Sequence, residues 1–357
     1  MYPFSGIVGQ ENAKLALAIA AVDPGIGGVL LSGMKGTGKS TLVRSFREIL
    51  PPQEVIENCV FGCMPSEELY LCADCRKLLT CNEEPTILSR KPSIVTVPLG
   101  VTEDRLLSTI NVEKLLQKGI HEFQPGLLAE ANNQVLYVDE VNLLSDSVTD
   151  DILDACAGGF NTVEREGVSV THPARFILVG TMNPEEGNLR PQILDRFAMA
   201  VDIFTETNPL RRIKIIERNL SWETNPERFN RAFGRADGKL RKTISSARSR
   251  LSDVSLPVPM IETVAESMAQ LKVDGQRPDL ATIRAARAWT ALEDRGAVDL
   301  DALMAVAPLC VCHRTRSGGL EQPPDPDELL EVLRESYSSR LENSRIFDPA
   351  QVLEEGE

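Results

Sequence analysis

Several features are missing from this sequence, and each absence excludes a class of protein. No apolar run approaches the roughly 20 residues that a membrane-spanning helix needs, and Met1-Tyr2-Pro3-Phe4 does not begin a signal peptide. Repeats and low-complexity tracts are absent too. The chain has 357 residues, 42 % hydrophobic and 25 % charged, which is enough for two globular domains. We therefore expect a cytoplasmic protein without a membrane partner.

Excess positive charge is also missing. The chain carries 38 Lys and Arg against 52 Asp and Glu, so its formal net charge is −14. A protein that binds nucleic acid over a broad surface needs the opposite balance. We therefore rank a nucleic-acid motor last among the functions considered and expect no nucleic-acid partner.

The eight cysteines are unevenly distributed, and five of them lie between positions 59 and 81. In a cytoplasmic chain, cysteines are more often thiols or metal ligands than disulfides. Two pairs, Cys59-x3-Cys63 and Cys72-x2-Cys75, match the ligand spacing of a tetrahedral Zn²⁺ site, while an iron–sulfur cluster and a loop of free thiols remain open. Cys310-Val311-Cys312 is too closely spaced for an ordinary clamp, and we expect it in the core of a helical region.

A phosphate-binding loop is the strongest motif in the chain. The segment Gly33-Met34-Lys35-Gly36-Thr37-Gly38-Lys39-Ser40 follows a short apolar run and precedes a helical pattern that begins at Thr41. Strand, glycine-rich loop and helix is the order that such a loop requires. The glycines allow successive N–H groups to face the phosphates, Lys39 neutralises the β and γ oxygens, and the Ser40 hydroxyl holds Mg²⁺. The sequence therefore predicts binding of ATP or GTP.

A second apolar run ends in two acids, Asp139 and Glu140. If residues 134–138 form a buried strand, Asp139 reaches the sheet edge beside the phosphate-binding loop, where a carboxylate can ligate Mg²⁺ through water. Glu140 can then polarise the attacking water, which hydrolysis requires. The alternative is a strand that merely ends in two solvated acids.

Asn183 follows a third apolar run, residues 175–181, and should emerge at the same sheet edge. Its amide can hold the attacking water or touch the γ-phosphate. The alternative is a turn residue before Pro184, which an Asn-Pro sequence favours.

Arginines near position 190 are candidates to stabilise the charge of the transferring phosphoryl group. Arg196 would act on a neighbouring subunit's nucleotide, because Lys39 and Mg²⁺ fill the pocket of its own chain. The alternative is a surface pair between Asp195 and Arg196, which contributes little to stability. Arg190 is a second candidate in the same segment.

The order of apolar patterns divides the chain into two parts. Strand and helix patterns alternate before about residue 206, which implies a parallel sheet between helices, and only helical patterns follow. Arg284, at the start of a helical stretch in the second part, could reach back to the nucleotide, with Arg277 and Arg287 as competitors. We predict an α/β nucleotide-binding domain over 1–206 with a cysteine-bearing insertion at about 55–91, a linker or exposed helix over 207–257, an all-α lid over 258–345, and a disordered acidic tail over 346–357.

Longer stretches carry a family resemblance beyond these motifs. They are residues 98–105, 125–132, 136–144 (LYVDEVNLL), 163–170, 172–176 and 180–197. Together they resemble the AAA+ ATPases and, within them, the ATPase subunits I of magnesium chelatases, which are close to those of cobalt chelatases. The resemblance covers most of residues 3–205 and, more loosely, the helical part to about 316.

The resemblance implies a fold, a partner set and a reaction. It implies an AAA+ P-loop NTPase fold, ATP and Mg²⁺ as cofactors, and a hexameric ring with ATP sites between protomers. It also implies a D-type ring subunit with an integrin-like domain, and a large H-type subunit that binds porphyrin and inserts the metal. By motif match, the family's nucleotide roles fall on Lys39, Ser40, Asp139, Glu140, Asn183, Arg196 and Arg190. The predicted hairpin at 162–171 and residues 94–123 match family insertions expected to contact partners.

Two functions from different classes remain at this stage. The first is an ATP-hydrolysing motor that drives insertion of Mg²⁺ into protoporphyrin IX, in chlorophyll synthesis, or of Co²⁺ into a corrinoid, in cobalamin synthesis. The second is a MoxR-like AAA+ chaperone that remodels or metallates a partner protein. Both need the same ATP site, and the long matches outside that site favour the chelatase.

Overall fold

The computed structural model describes residues 1–81, 85–110, 123–165, 168–339 and 346–347. The helices are α1 (Glu11–Val22), α2 (Lys39–Phe46), α3 (Ala73–Thr80), α4 (Glu103–Leu107), α5 (Leu127–Glu130), α6 (Asp146–Gly158), α7 (Pro191–Leu194), α8 (Pro209–Thr224), α9 (Pro226–Arg250), α10 (Val258–Gln270), α11 (Arg277–Leu292), α12 (Leu300–Val311) and α13 (Pro326–Ser338). The strands are β1 (Val29–Ser32), β2 (Gln53–Ile56), β3 (Ile87–Arg90), β4 (Ile94–Val97), β5 (Ser108–Ile110), β6 (Phe123–Pro125), β7 (Val135–Val138), β8 (Phe160–Arg165), β9 (Val168–Pro173), β10 (Ile177–Met182) and β11 (Met199–Asp202).

Some predictions concern residues outside these described ranges. The predicted tail beyond residue 347, the end of the predicted lid at 340–345, and residues 111–122 of the segment expected to contact partners lie outside the described residues. The same holds for residues 166–167 at the turn of the predicted hairpin.

The main sheet is parallel, as the sequence predicts. Its five strands follow the order β11–β1–β10–β7–β4, and Val29 of β1 lies opposite Val179 on one side and Met199 on the other. Every residue of β1, β7 and β10 is buried. Because helices cover both faces of the sheet, the central strands are continuous apolar runs rather than alternating ones. The carboxyl ends of all five strands therefore meet at one edge.

Two apolar cores lie on the two faces of this sheet. Strand β7 contributes to both, since Val135 and Tyr137 point into one core and Leu136 and Val138 into the other. The first core includes α1 and α2 and continues without a break into α10–α13, whereas the second includes α5 and α6. The C-terminal helices are therefore packed onto the α/β layer: α11 contacts α1, and α12 contacts β11.

The stretch predicted as a linker or exposed helix contains two helices. Each begins at an Asn-Pro sequence: the Asn208 side chain accepts from the N–H of Leu210 (2.9 Å), and that of Asn225 accepts from Arg228 (2.9 Å). Asparagine caps with proline at the first helical position are strong start signals. Helix α8 buries none of its residues, whereas α9 packs through residues such as Phe229.

Three two-stranded sheets accompany the main sheet in the described part of the chain, namely β2–β3, β5–β6 and β8–β9. The insertion is closed by the antiparallel pair β2–β3 and contains α3, and strands β8 and β9 form the predicted hairpin, with Phe160 opposite Pro173. Among the described helices, none combines the length and apolar character needed to cross a bilayer.

Candidate nucleotide-binding site

The phosphate-binding loop lies at the carboxyl edge of the sheet, between β1 and α2. The N–H of Gly33 donates to the carbonyl of Met182 (3.2 Å), which joins the loop to the end of β10. A Cβ at Gly33 would lie 2.3 Å from the carbonyl oxygen of Ile203, so only glycine permits this approach. Gly38 has a φ of +89° and leads directly into α2, so the free N–H groups of the helix N-terminus face the loop, as anion binding requires.

Lys39 lies at the centre of this loop. Its ammonium group donates to the carbonyl oxygens of Gly33 and of Met34, the latter at 2.9 Å. Burial lowers the pKa of Lys39, while the nearby Asp139 and Glu140 oppose that shift. The ammonium group is thus placed between the loop and the acidic end of β7.

Asp139 is held by two hydroxyl groups. The Tyr137 hydroxyl and the Thr181 hydroxyl each donate to Asp139 Oδ1 at 2.7 Å, and Thr181 Oγ1 accepts from the N–H of Glu140 (3.2 Å). Desolvation raises the pKa of Tyr137 to about 12, against the effect of its hydrogen bonds with Ser40 and Thr181. Tyr137 therefore stays protonated and links the two predicted Mg²⁺ ligands, Ser40 and Asp139. A hydroxyl and a carboxylate so placed are the hard oxygen donors that fit Mg²⁺.

Glu140 and Asn183 lie at the same edge. Glu140 has φ +53° and ψ 56°, the left-handed region that a residue with a side chain seldom adopts, and such conformations cluster at functional sites. Asn183 is buried at the end of β10, and its Oδ1 accepts from the N–H of Glu185 (3.3 Å). The structure thus brings Asn183 to the predicted edge and also shows the turn contact that the alternative requires.

Arg196 lies away from the loop of its own chain, whereas Arg190 lies on the carboxyl side of the sheet, where α6 begins after β7. Arg196 precedes β11, and the N–H of Ala198 donates to the carbonyl of Gly27 (3.2 Å), just before β1. This places Arg196 at the amino edge of the sheet, separated from the loop by the length of β1, about 13 Å. Arg196 pairs with two acids of α6, at 2.8 Å from Asp154, and Arg190 pairs with Asp146 of the same helix.

The lid arginines also lie at the amino edge. Arg284 makes a bidentate contact with Asp23, at 2.8 and 2.7 Å, where α1 ends before β1. The structure therefore does not bring Arg284 to the phosphate-binding loop of its own chain. Arg277 contacts Asp195 at 3.0 Å. Arg196 pairs with acids of α6 instead of Asp195, so the described ion pairs do not include the Asp195–Arg196 pair of the alternative interpretation.

A cleft of about 420 Å³ opens beside the loop, and motif reasoning missed it. Thr41 at the start of α2 contributes to its wall. The other lining residues include Ile7, Val8, Ile203, Phe204, Glu206, Arg212 and Ile216. An apolar cleft with a few polar groups suits the base and ribose of a nucleotide. In the sequence, the apolar pair Ile7-Val8 before α1 is the local feature that could indicate this cleft.

The cysteines of the insertion lie outside this site. The sulfurs of four of them lie within 4.8 Å of one another, and we call the four the tetracysteine cluster: Cys59, Cys63, Cys72 and Cys75. Cys81 is exposed and stands apart from the cluster. Cys310 is buried, as predicted, whereas Cys312 is partly exposed.

Comparisons with known proteins agree with this architecture. A family model described as magnesium chelatase, subunit ChlI, matches residues 3–65 and 108–203, and one described as AAA lid domain matches 261–333. The chain is 44 % identical over 338 residues to the magnesium-chelatase subunit ChlI of Euglena gracilis, covering 95 % of this chain and 97 % of that protein. It is 44 % identical over 337 residues to ChlI of Synechocystis, covering 94 % of each chain.

Solved structures give the same result. A structure of the complex between subunits BchI and BchD of magnesium chelatase is similar with a TM-score of 0.52 and 38 % identity, covering 93 % of this chain and 99 % of that one. An ATPase structure from Cytophaga hutchinsonii is similar with a TM-score of 0.57 but only 16 % identity, covering 96 % and 92 %. The second likeness shows a shared fold and nothing more.

Proposed function

This chain belongs to the magnesium chelatase ChlI family, the ATPase subunits of that ligase-type enzyme, and from this premise we propose that it hydrolyses ATP to drive insertion of Mg²⁺ into protoporphyrin IX by a separate large subunit. The observation that supports the proposal best is the hydrogen-bonded set of Ser40, Tyr137 and Asp139 beside Lys39. Insertion of Co²⁺ into a corrinoid, and a MoxR-like chaperone role, gain no support from the relatives.

We propose the following roles at the ATP site. The N–H groups of residues 33–41 bind the phosphates, and Lys39 neutralises their charge. Ser40 and Asp139 would hold Mg²⁺, which when bound neutralises charge on the β and γ oxygens. Glu140 orients and polarises the attacking water, and Asn183 contacts that water or the γ-phosphate.

We propose that the site is completed by a neighbouring protomer in a hexameric ring. Arg190, which pairs with Asp146 at the start of α6, and Arg196 are the candidates for contact with another chain's nucleotide. Arg196 lies at the sheet edge opposite to the phosphate-binding loop, which suits that contact. Arg284 lies at that edge as well, and we therefore assign its nucleotide contact to the same interface. A guanidinium supplied from a neighbour stabilises the charge of the transferring phosphoryl group.

An exposed apolar face supports the ring. Helix α8 carries a stripe at helical spacing that is half exposed or more, formed by Leu210, Ile213, Ile216 and Leu220, and Ile216 also lines the nucleotide cleft. A contiguous exposed apolar face beside the nucleotide cleft indicates a contact surface. We propose that an adjacent protomer covers it.

The remaining partners follow from the family. The similar BchI structure is a complex with BchD, and we propose a D-type subunit and a large H-type subunit as partners of this chain, with no nucleic acid or membrane partner. We also propose a cytoplasmic location, in line with the free thiols of the described cysteines.

Reconstitution tests the proposed reaction. The chain would be mixed with D-type and H-type subunits, MgATP and protoporphyrin IX, and the absorption spectrum of the porphyrin followed. We expect conversion to the Mg²⁺ porphyrin only with ATP present, and no conversion when Glu140→Gln replaces the wild type. Conversion of a corrinoid with Co²⁺ but not of protoporphyrin with Mg²⁺ would contradict the proposal.

A further inference from the structure

The tetracysteine cluster has the dimensions of a single-ion site. Its four sulfurs lie within 4.8 Å of one another, and those of Cys59 and Cys72 are 3.9 Å apart. Four sulfurs bound to one zinc ion at about 2.3 Å lie about 3.8 Å from one another. A two- or four-iron cluster interposes iron and sulfide between the thiolates and would hold them further apart. The observed spacing therefore fits one thiophilic ion.

The surroundings of the cluster suit thiolates. The N–H of Cys72 donates to the sulfur of Cys63 (3.3 Å), and the N–H of Cys75 donates to the sulfur of Cys72 (3.5 Å). The guanidinium of Arg90 lies against Gly62, inside the first cysteine pair, and its Nε is buried without a hydrogen-bond partner among the described residues. A positive group at this place compensates the negative charge of four thiolates bound to a divalent ion.

The insertion has little else to hold it together. Among its described residues, the apolar core around the cysteines contains only Ile56 and Leu71 besides three of the cysteines, with Phe61 and Leu79 partly buried around them. Segments with so small an apolar core usually depend on a metal or on disulfides. Disulfides are absent among the described cysteines.

The cluster is joined to the base of the β8–β9 hairpin. The Phe61 ring stacks on His172 of β9 at 5.2 Å between centroids, and the Tyr70 ring stacks on Phe160 of β8 at 5.4 Å. The side chain of Asn133 donates to the carbonyl of Gly62 (3.1 Å), just before β7. Each contact comes from a residue within two positions of a cluster cysteine, and Tyr70 ends a helical turn that leads into Cys72.

We propose that the tetracysteine cluster binds one Zn²⁺ as a tetrathiolate, and that this site fastens the insertion to the base of the β8–β9 hairpin. The zinc has a structural role, because four protein ligands leave no open position for a substrate or water. The cluster contacts the amino edge of β7, away from the phosphate-binding loop, so the site orients the hairpin rather than taking part in hydrolysis.

Metal content of the wild-type chain tests the site directly. The full chain, expressed with zinc and purified under reducing conditions, should contain about one zinc per chain by elemental analysis, with four sulfurs at about 2.3 Å in X-ray absorption. A zinc content below about one tenth per chain, bound iron in its place, or nitrogen and oxygen ligands would overturn the proposal. The measurement needs neither ATP nor partner subunits, so it can fail while the proposed ATPase function holds.

Variants and hydrogen exchange test the fastening role. Cys63→Ser combined with Cys72→Ser should lose the zinc, whereas Cys81→Ser, which changes an exposed cysteine outside the cluster, should keep it. Stripping zinc from the wild-type chain should speed amide exchange in β8 and β9 by about tenfold or more and leave β1 unchanged. Zinc retained by the double variant, or unchanged exchange in the hairpin of the stripped wild-type chain, would contradict the proposal.

Discussion

At the scale of single residues, the proposed ATP site includes side chains that belong to no sequence motif. Tyr137 is buried in β7, and its hydroxyl meets Asp139 and Ser40. Thr181 belongs to a different strand and meets the same carboxylate oxygen. The two hydroxyls orient Asp139, and such hydrogen bonds to a metal-ligating carboxylate would support its proposed role as a Mg²⁺ ligand.

Replacing Tyr137 with phenylalanine isolates this effect. Tyr137→Phe keeps the ring but removes the donor to Asp139, a loss of about 1–2 kcal/mol for a hydrogen bond to a charged group. We expect the ATPase rate to fall by about tenfold and the Mg²⁺ concentration needed for half-maximal rate to rise. Tyr70→Phe makes the same chemical change in the insertion and should alter neither quantity. An unchanged Mg²⁺ requirement in Tyr137→Phe would show that the phenol does not position Asp139.

At the scale of elements, the residues that follow helix α12 contact the segment before β11. Arg314, just past the end of α12, is fully buried; it donates to the carbonyl of Phe197 (2.8 Å) and to Asp195 Oδ1 (2.7 Å). Asp195 also binds Arg277 of α11, which is exposed. Two lid helices therefore hold the residues on either side of Arg196, so lid packing determines where that arginine lies.

Arg314 and Arg277 contact the same carboxylate but differ in burial, so their lysine variants can be compared directly. Arg314→Lys removes a planar, multiply bonded group from a buried place and should lower the free energy of unfolding by about 3 kcal/mol. Arg277→Lys alters an exposed contact to the same carboxylate and should cost less than about 1 kcal/mol. Denaturant titration of both variants measures the difference. Equal losses would show that burial does not set the strength of these contacts.

At the scale of the whole molecule, the phosphate-binding loop lies at one edge of the sheet and Arg196 and Arg284 lie at the other. Under the proposed roles, a single chain presents half of a site at each edge. Helix α8, with its exposed apolar stripe, lies beside the nucleotide cleft. We infer that full ATPase activity belongs to an assembly of chains and not to one chain.

Mixing two inactive variants tests whether the ATP site is shared between neighbouring chains. Arg196→Ala should leave assembly intact and lower hydrolysis by about 10³-fold, the effect expected of an arginine supplied to a neighbour. Glu140→Gln should bind ATP but lower hydrolysis by about 10²-fold or more, because the orienting carboxylate is lost. Mixed rings should regain activity, since the second variant supplies Arg196 to sites in which Glu140 is intact. Arg295→Ala, a change on the lid surface, should behave as wild type.

Two outcomes would contradict the division of the site. One is a mixture of the two variants that is no more active than either alone. The other is a wild-type chain that remains monomeric with ATP yet hydrolyses it at the full rate.

The sequence alone is enough to predict the local motifs. The loop at residues 33–40 and the acids at the end of β7 depend on short-range order, namely a strand followed by a fixed set of side chains. The parallel sheet follows from the alternation of strands and helices, and the structure and the family comparisons confirm it. The predicted domain boundaries and the site roles stay predictions, since they depend on contacts with nucleotide and neighbouring chains.

The sequence could not predict where distant segments meet. Thr181 is 42 positions from Asp139, yet its hydroxyl donates to that carboxylate. Arg284 is a candidate to reach back to the nucleotide, and the docking of α11 on α1 places it on Asp23. Both positions depend on packing between elements, which local patterns do not encode. The caps at Asn208 and Asn225 differ, because they are local start signals within the stretch predicted as a linker or exposed helix.

By itself, the sequence determined the glycine-rich loop and its lysine between a strand and a helix, because backbone freedom and fixed spacing are local properties. It also determined the two cysteine pairs. Only the tertiary structure decided that the pairs form one compact cluster under the β8–β9 hairpin, and that Arg196 and Arg284 lie away from the loop. The physical reason is that side-chain position across elements is set by which apolar faces pack together, and that choice belongs to the folded chain as a whole.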